Sequence, residues 1–525
     1  MVLANNLQAA AQSNDDSVTT LKSVLNETLR TNPDIKADMS ASETADYQIY
    51  QAYSGYFPTV DVSGGVGREY DKQNLKQNPF ESAVKGKLNQ RASNPAFAVK
   101  QVLFNGFKTV SDVELAESYK SQADKKVDET AENTAYQAAS AYIDVRRFQR
   151  LHRLSLENVQ AHRDIAKKVN IRVDAGRAPG GDKFLIEARL EDAESSVLEI
   201  TGELDAAIAN YYSIVGIMPK QLGSSKIPEQ YLPPTVETAI KVGRDKNRSV
   251  ELAKTKILSA RAQIDEAKSP FYPAISLEVN GSRQKNTSGR TGVATDITSM
   301  AVMRYNLLNG GADVSTYLQR AEQLTEQRFR LESARRSSEK DIRTAWANMV
   351  SAKARGKNIE ISVKDKLKVN GVFAQQYNIG TRSLFDVVDA LNDYFLTKGS
   401  LITINATEDL SAIKLLSSMG MLLSSFELRS EPENIRGDND EDKEDVPLMQ
   451  VKYAPQEKNL VSSAGITDAP IMEIKDISDE TEAPSAAETD TDTDEANESN
   501  KNEDPIPDNS NSSEEIKPQE MGTIY

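Results

Sequence analysis

The side chains best suited to chemistry in this sequence are two histidines and several closely spaced carboxylates, because the chain contains no cysteine. Disulfides and thiolate metal sites are therefore excluded. His152 and His162 are ten residues apart on a helical stretch, so they share a face but lie about 15 Å apart, too far to bind one metal ion. This spacing predicts two solvated polar residues. Nothing resembles a nucleophile beside its base or a phosphate-binding glycine loop, so the sequence predicts no enzymatic activity, cofactor or metal.

The carboxylates of interest lie in YNIGTRSLFDVVDA, Tyr377 to Ala390, a tight turn between two long helical segments. Gly380 suits the left-handed residue that closes a helix, and Ser383 suits the N-cap of the next helix. Asp386 and Asp389 are three residues apart and share one face of that helix. The residues alone leave two interpretations open. Either Asp386 is a first-turn helix charge and Asp389 a solvated one, or the two attract cations at a constriction.

An earlier copy of this turn, VDAGRAPGGDKFLIEARL, shows that the chain is built twice. Gly176 and Gly380 are 204 positions apart, and so are Asp182 and Asp386. Further pairs keep the same offset: Asn105 and Asn309, Tyr142 and Trp346, Gly216 and Gly420. Before the strands the offset is 215, as between Asn32 and Asn247. The difference falls in a loop, where added length costs little, so we predict an internal tandem repeat.

Each half is predicted to contain helix, strand, loop, strand, long helix, tight turn and long helix. Alternation of Val60, Val62, Gly64 and Val66 with polar residues indicates a strand. The polar segment from Asp71 to Asn94 is predicted to be an exposed loop. The second strand pair is predicted at Ala274–Arg283 and Ala294–Leu307, giving four strands per chain. A helix from Thr109 to Asp174 would be about 100 Å long, which is typical of coiled coils and helical barrels.

Composition divides the chain into five predicted segments. They are a disordered lead or export-signal remnant (1–17), a first repeat (18–216), an irregular connection (217–240), a second repeat (241–428) and an acidic disordered tail (429–525). From Glu431 to Tyr525 the charge is −20, which leaves +4 for the rest, so no basic surface indicates nucleic acid. The tail is either a solvated appendage or a binder of calcium or a cationic partner.

The N-terminal stretch lacks the basic region and the apolar core of a normal signal peptide. Ala9, Ala10 and Ala11 are either a cleavage remnant or the small residues of a loose terminus. We expect a truncated or mature form. No run of about 18 apolar residues is present. Four strands alone would leave open edges, so a ring of several subunits is expected.

The chain resembles the TolC family of outer-membrane channels from about Val18 to Leu428. The resemblance rests on YFP before a strand, LFNGF and NLLNGG at the strand-to-helix junctions, GIMP after the third helix, and NIGTRSLFDVVDA at the turn. The form NLLNGGADVS is most similar to the subgroup that serves type I protein secretion. The first turn departs from the family pattern through Ala178, Pro179, Gly180 and Gly181.

The resemblance implies a mainly α fold with a small β part in a homotrimer. Long antiparallel coiled-coil helices would form an α-helical barrel across the periplasm. Four strands per chain would contribute to a transmembrane β-barrel in the lipid of the outer membrane. A periplasmic adaptor and an inner-membrane ABC or other pump would be the partners, and the cargo would be an exported protein. Export of small molecules is the alternative within the family, and a soluble fibrous coiled coil is the alternative of a different class.

The resemblance also assigns site residues at the periplasmic tip. It implies that Asp386 and Asp389 ring a constriction, and that Asp182, Tyr377 and Arg382 make the inter-helix contacts that hold the tip closed. It places a second set in the turns that contact the adaptor: Gly176, Gly380, Thr381, Arg382 and Ser383.

Overall fold

The computed structural model describes residues 19–75, 84–287 and 292–428. The predicted disordered segments 1–17 and 429–525 therefore lie outside the described residues. Among the described residues, no helix is both long enough and apolar enough to cross a membrane.

The observed element order occurs twice along the chain, with two helices, strands, and then two longer helices in each half. The helices are α1 (Leu21–Thr31), α2 (Pro33–Tyr53), α3 (Lys108–Asp174), α4 (Gly180–Val215), α5 (Val236–Lys246), α6 (Arg248–Ala267), α7 (Ala312–Asn378), α8 (Leu384–Ser418) and α9 (Leu422–Ser425). The strands are β1 (Thr59–Ser63), β2 (Val66–Leu75), β3 (Val84–Ser93), β4 (Ala96–Asn105), β5 (Ala274–Lys285) and β6 (Val293–Arg304). The fold is mainly α with a small antiparallel sheet.

Short-range capping explains where the first helices of each half begin. The side-chain oxygen of Asn32 accepts hydrogen bonds from the first backbone N–H groups of α2, and Pro33 occupies the first helical position. Asn247 caps α6 in the same way. The same two asparagines also donate to the end of the last long helix of their own half, at the carbonyls of Ile214 in α4 (3.2 Å) and Ser418 in α8 (2.8 Å). Each asparagine therefore fastens a helix start to a helix end.

The sheet corrects two predictions. β2 pairs along its whole length with β3, so the predicted loop from Asp71 to Asn94 is wrong at 71–75 and 84–93, while 76–83 lie outside the described residues. The described part of the chain has six strands rather than four, because Gly64 and Gly65 interrupt one long hairpin opposite Asn94 and Pro95. Backbone groups make the ladder, so a polar segment can pair without apolar alternation. β6 also ends at Arg304 rather than at Leu307.

The register gives the sheet one apolar face. In the order β1–β4–β5–β6, residues that lie opposite each other on neighbouring strands point their side chains to the same face of the sheet. Those on the apolar face include Val60, Val62, Phe97, Ile275, Leu277, Ile297 and Met303. Phe97 lies opposite Gly281, where a Cβ atom would be 2.2 Å from the phenylalanine ring. The glycine therefore leaves room for an aromatic side chain across the strand pair.

The largest apolar core lies midway along the helices and gathers both halves of the chain. Tyr142 of α3 is fully buried there, and its hydroxyl lies 3.0 Å from the carbonyl oxygens of Thr19 and Gly223. Thr19 also pairs with Leu222 of the connection between the two halves. Thr19, at the start of the described chain, and Gly223, in the connection between the two halves, are thus both held against α3 at Tyr142.

Glu132 of α3 is a buried carboxylate in this core, with 2% of its surface exposed. Its two oxygens accept hydrogen bonds from the backbone N–H groups of Leu422 (2.7 Å) and Leu423 (3.4 Å), at the start of α9. Burial raises the pKa of Glu132 to about 7, although these hydrogen bonds and the charge of Arg248 act in the opposite direction; the charge of Asp128 raises the pKa further.

Replacing Glu132 with glutamine is expected to flatten the pH dependence of stability. Below pH 4.5 the carboxyl is protonated in folded and unfolded chains, whereas up to about pH 7 only the folded chain holds the proton. The free energy of unfolding should therefore fall as pH rises through that window, by at most about 3 kcal/mol. Thermal unfolding in detergent from pH 4 to pH 8 measures this, with the exposed Glu326→Gln as control. A wild-type pH profile in Glu132→Gln would contradict the assignment.

Candidate functional site

The second predicted turn closes α7 with a pair of nested hydrogen bonds. Gly380 has φ +82°, the left-handed conformation predicted for it. Its N–H donates to the carbonyl of Tyr377 (3.0 Å), and the N–H of Thr381 donates to the carbonyl of Gln376 (3.0 Å). This arrangement requires a left-handed residue, which glycine adopts without steric cost. The turn then ends at Ser383, whose hydroxyl caps α8 by accepting from the N–H of Asp386 (3.2 Å).

The first turn has the same helix ending but a different helix start. Gly176 has φ +67°, and its N–H donates to Val173 (2.9 Å), while the N–H of Arg177 donates to Arg172 (2.7 Å). The N-cap of α4 is Pro179, which supplies no side-chain hydrogen bond. The two turns are therefore alike at the glycine and unlike immediately after it.

The three carboxylates predicted for the site differ in environment. Asp386 accepts a hydrogen bond from the Ser383 hydroxyl (2.7 Å) and lies 3.9 Å from a guanidinium nitrogen of Arg382. Asp389 is exposed on the same helix. Asp182 lies in the first turn of α4 and is partly buried. Within one protomer, Asp386 therefore helps to form the turn, whereas Asp389 is free to face solvent or an ion.

Arg382 fastens the second turn to its own helix. Its guanidinium carbon lies 3.8 Å from the centre of the Phe373 ring, a cation–π arrangement. Its Nε–H donates to the side-chain oxygen of Gln376 (3.2 Å). These two contacts hold the turn against the last turns of α7, and Asp386 of α8 lies 3.9 Å from the same guanidinium.

Tyr377 contacts the other half of the chain, through a residue that the sequence did not single out. Arg172 of α3 donates from Nη1 to the backbone carbonyl of Tyr377 (3.1 Å), and its guanidinium carbon lies 4.6 Å from the centre of the tyrosine ring. Burial raises the pKa of Tyr377, Arg172 lowers it, and Asp182 raises it. The buried hydroxyl makes no hydrogen bond of normal geometry within the described residues. No local signal marks Arg172, because its partner is 205 positions away.

A small apolar cluster supports these contacts. Ala166 and Val169 of α3, Ile186 of α4, and Leu384 and Val388 of α8 are buried together. Tyr377 of α7 packs against this cluster, so all four long helices meet just behind the turns. The side chains of the site are consequently positioned by packing between the two halves.

One prediction about the histidines is wrong. His162 is 3% exposed rather than solvated, because it lies between the long helices, and its Nδ1 is 3.0 Å from the carbonyl oxygen of Asn158. It lines a cavity of about 680 Å³, together with Leu154 and Arg189 among others. Helical spacing predicted which face the histidine shares, but which face packs inward depends on the neighbouring helices. In the described ranges, no group of His, Cys, Asp or Glu residues is placed to hold a metal ion.

Known proteins resemble this chain in sequence and in fold along most of its length. Residues 24–216 and 240–421 both match the family described as outer membrane efflux protein. Outer membrane efflux protein BepC of Brucella suis is 22% identical over 394 residues, covering 73% of this chain and 86% of that protein. Outer membrane protein TolC of Vibrio cholerae is 23% identical over 427 residues, covering 77% and 91%. The outer membrane channel CmeC of Campylobacter jejuni superposes with a TM-score of 0.67 at 13% identity, covering 77% and 86%.

Long paired helices, a small antiparallel sheet with an apolar face, and this structural likeness define the fold of an outer-membrane channel. The chain belongs to the outer membrane efflux protein family, because the family matches both halves of the chain. It is accordingly an outer-membrane transport protein of the TolC type.

Proposed function

We propose that the protein is the trimeric exit duct of a tripartite type I secretion system. Each protomer contributes strands to a common β-barrel in the outer membrane and helices to a hollow barrel that crosses the periplasm. The duct has no enzymatic activity. A periplasmic adaptor docks at the two turns, and an inner-membrane pump supplies the energy that moves an exported protein through the opened channel.

The order of elements supports closure by identical copies. α2 packs on α3, α3 on α6, and α6 on α7, so α2 and α7 lie at opposite ends of one row. Nearer the turns, α4 packs on α3, α3 on α8, and α8 on α7, so α4 and α7 are the ends of the row there. In the sheet, β1 and β6 are the corresponding ends. A ring therefore forms when β6 and α7 of one protomer meet β1, α2 and α4 of the next.

The side chains at these free edges support the same closure. On α2, Tyr47 is 73% and Tyr50 55% exposed, three residues apart on neighbouring turns. On α7, Leu318 is 56% and Phe329 72% exposed. Large apolar side chains on a water-facing helix are costly to leave uncovered, and contact between copies would bury them.

The geometry of the two turns supports a gate at this end of the helices. Acidic side chains at Asp182, Asp386 and Asp389 follow tight turns that end the two longest helices. With threefold symmetry, Asp386 and Asp389 would place six carboxylates around one axis, an arrangement that attracts cations. The exposed turn residues Gly176, Gly380, Thr381 and Ser383, with Arg382 beside them, are the proposed adaptor contacts.

The form NLLNGGADVS favours protein cargo, whereas a second candidate function is export of small molecules. The second candidate is favoured by the family description and by the name of BepC, both of which refer to efflux. The fibrous coiled-coil alternative is not retained, because it accounts for neither the apolar face of the sheet nor the family match.

Deleting the gene for this protein is expected to remove one or a few very large, repeat-rich proteins from the extracellular and surface proteome. Those proteins would be the cargo, because a dedicated outlet has no substitute in the outer membrane. Quantitative comparison of secreted proteins from the deletion strain and its parent measures this. Restoring the wild-type gene is the control. An unchanged proteome together with raised susceptibility to drugs or bile salts would instead establish small-molecule export.

A further inference from the structure

Arg172 makes a polar contact between the two halves of the chain at the tip. It lies in the last turn of α3, and its side chain reaches α7 of the second half. The guanidinium stacks on the Tyr377 ring at 4.6 Å and donates to the Tyr377 carbonyl at 3.1 Å. We propose that Arg172 is the positioning residue that latches the first coiled coil to the second and so holds the gate closed. This inference rests on the proposed function.

The tandem repeat shows why this position matters. At the offset of 204, Arg172 corresponds to Gln376, which binds Arg382 within the second turn. Arg382 itself corresponds to Ala178, and its ring partner Phe373 corresponds to Val169. At these two equivalent positions the first half therefore has neither the arginine nor the aromatic ring that fastens the second turn to its own helix. The arginine of the first turn's helix is directed across to the second half instead.

The surroundings of Arg172 make the latch selective for a planar cation. Tyr377 packs against the apolar cluster of Ala166, Val169, Ile186, Leu384 and Val388, which fixes the ring that the guanidinium covers. A guanidinium can stack on a ring face and donate in its own plane at the same time, which an ammonium group does less well. The hydrogen-bond acceptor is a backbone carbonyl, so the tyrosine hydroxyl is not required for the contact.

The test is single-channel recording of purified full-length protein in planar bilayers. Arg172→Gln, which copies the residue at the equivalent position of the other half, is expected to raise the ratio of open to closed states about tenfold. Arg172→Lys should give an intermediate ratio, because the charge stays but the planar stack is lost. Tyr377→Leu should resemble Arg172→Gln, because it removes the ring on which the guanidinium stacks. Thermal unfolding of each variant should match the wild type.

Arg163→Gln is the matched control. Arg163 also lies on α3 and forms an ion pair with Glu194 of α4 at 2.8 Å, but this contact stays within the first half. Arg163→Gln should leave the ratio of open to closed states unchanged. A wild-type ratio in Arg172→Gln, or an equal rise in Arg163→Gln, would overturn the latch. If the latch is overturned but Asp389→Asn still alters cation block in the same recordings, the channel assignment stands. If Arg172→Gln leaves the open ratio unchanged and Asp389→Asn leaves the cation block unchanged, the proposed gate is excluded as well.

Discussion

Asp389→Asn is expected to weaken block of the channel by divalent or polyvalent cations about tenfold or more. A divalent ion 4 Å from one carboxylate gains about 2 kcal/mol in water, and more where water is excluded. In a trimer the substitution removes three such carboxylates from one axis. A loss of about 1.4 kcal/mol already corresponds to a tenfold change in the blocking constant. Titration of the cation against single-channel current measures the effect.

Asp389 gives a cleaner test than its neighbour Asp386. Asp386 accepts from the Ser383 hydroxyl and lies near Arg382, so Asp386→Asn would also disturb the start of α8. Asp389 is exposed on the helix and leaves the turn intact when it is changed. The double variant should show the weakest block of all. Raising the ionic strength should weaken block of the wild type, because salt screens the carboxylates.

Asp393→Asn provides the control on the same helix. Asp393 is four residues further from the turn, is exposed, and binds Lys366 at 3.2 Å. Its substitution removes the same charge and should leave the block at the wild-type level. Unchanged block in Asp389→Asn and in the double variant would exclude these residues from the constriction.

Gly420→Ala is expected to prevent assembly of the folded channel. Gly420 has φ +69°, and a Cβ atom would lie 2.0 Å from the carbonyl oxygen of Lys246 and 2.7 Å from its carbonyl carbon. Those atoms are backbone at the end of α5, so they cannot rotate away as a side chain would. The contact seats the end of α8 against the junction of α5 and α6, where Asn247 donates to Ser418. The substitution would break this junction in the core.

The repeat supplies a matched control at Gly216. Gly216 is the equivalent residue of the first half and has φ +82°, but a Cβ atom at this position would have no neighbouring atom within 4 Å. Gly216→Ala should therefore cost only the left-handed strain of about 1–2 kcal/mol. The amount of heat-sensitive trimer in the outer-membrane fraction distinguishes the two variants. Equal amounts of trimer in both would show that the close approach at Gly420 is not needed for folding.

Local signals in the sequence determined much of the architecture. Ser383 caps α8 as predicted, and Asn32 and Asn247 cap α2 and α6, because a cap depends on residues within one turn of the chain. Gly380 closes α7 for the same reason. The repeated order of elements could be predicted because equivalent residues of the two halves keep a constant offset along the chain. The predicted loop was wrong at 71–75 and 84–93, since strand pairing needs only backbone groups and a polar segment carries no alternation.

Only the tertiary structure decided which side chains meet across the two halves. Arg172 reaches Tyr377, and Glu132 binds the start of α9, across 205 and 290 residues respectively. His162 is buried for the same reason, because its helix face is covered by the other long helices. Helical periodicity predicts the faces of a helix, but the partner of each face depends on how long helices align along about 100 Å. The sequence by itself thus determined the long helices and their turns, and packing between the halves decided the contacts at the tip.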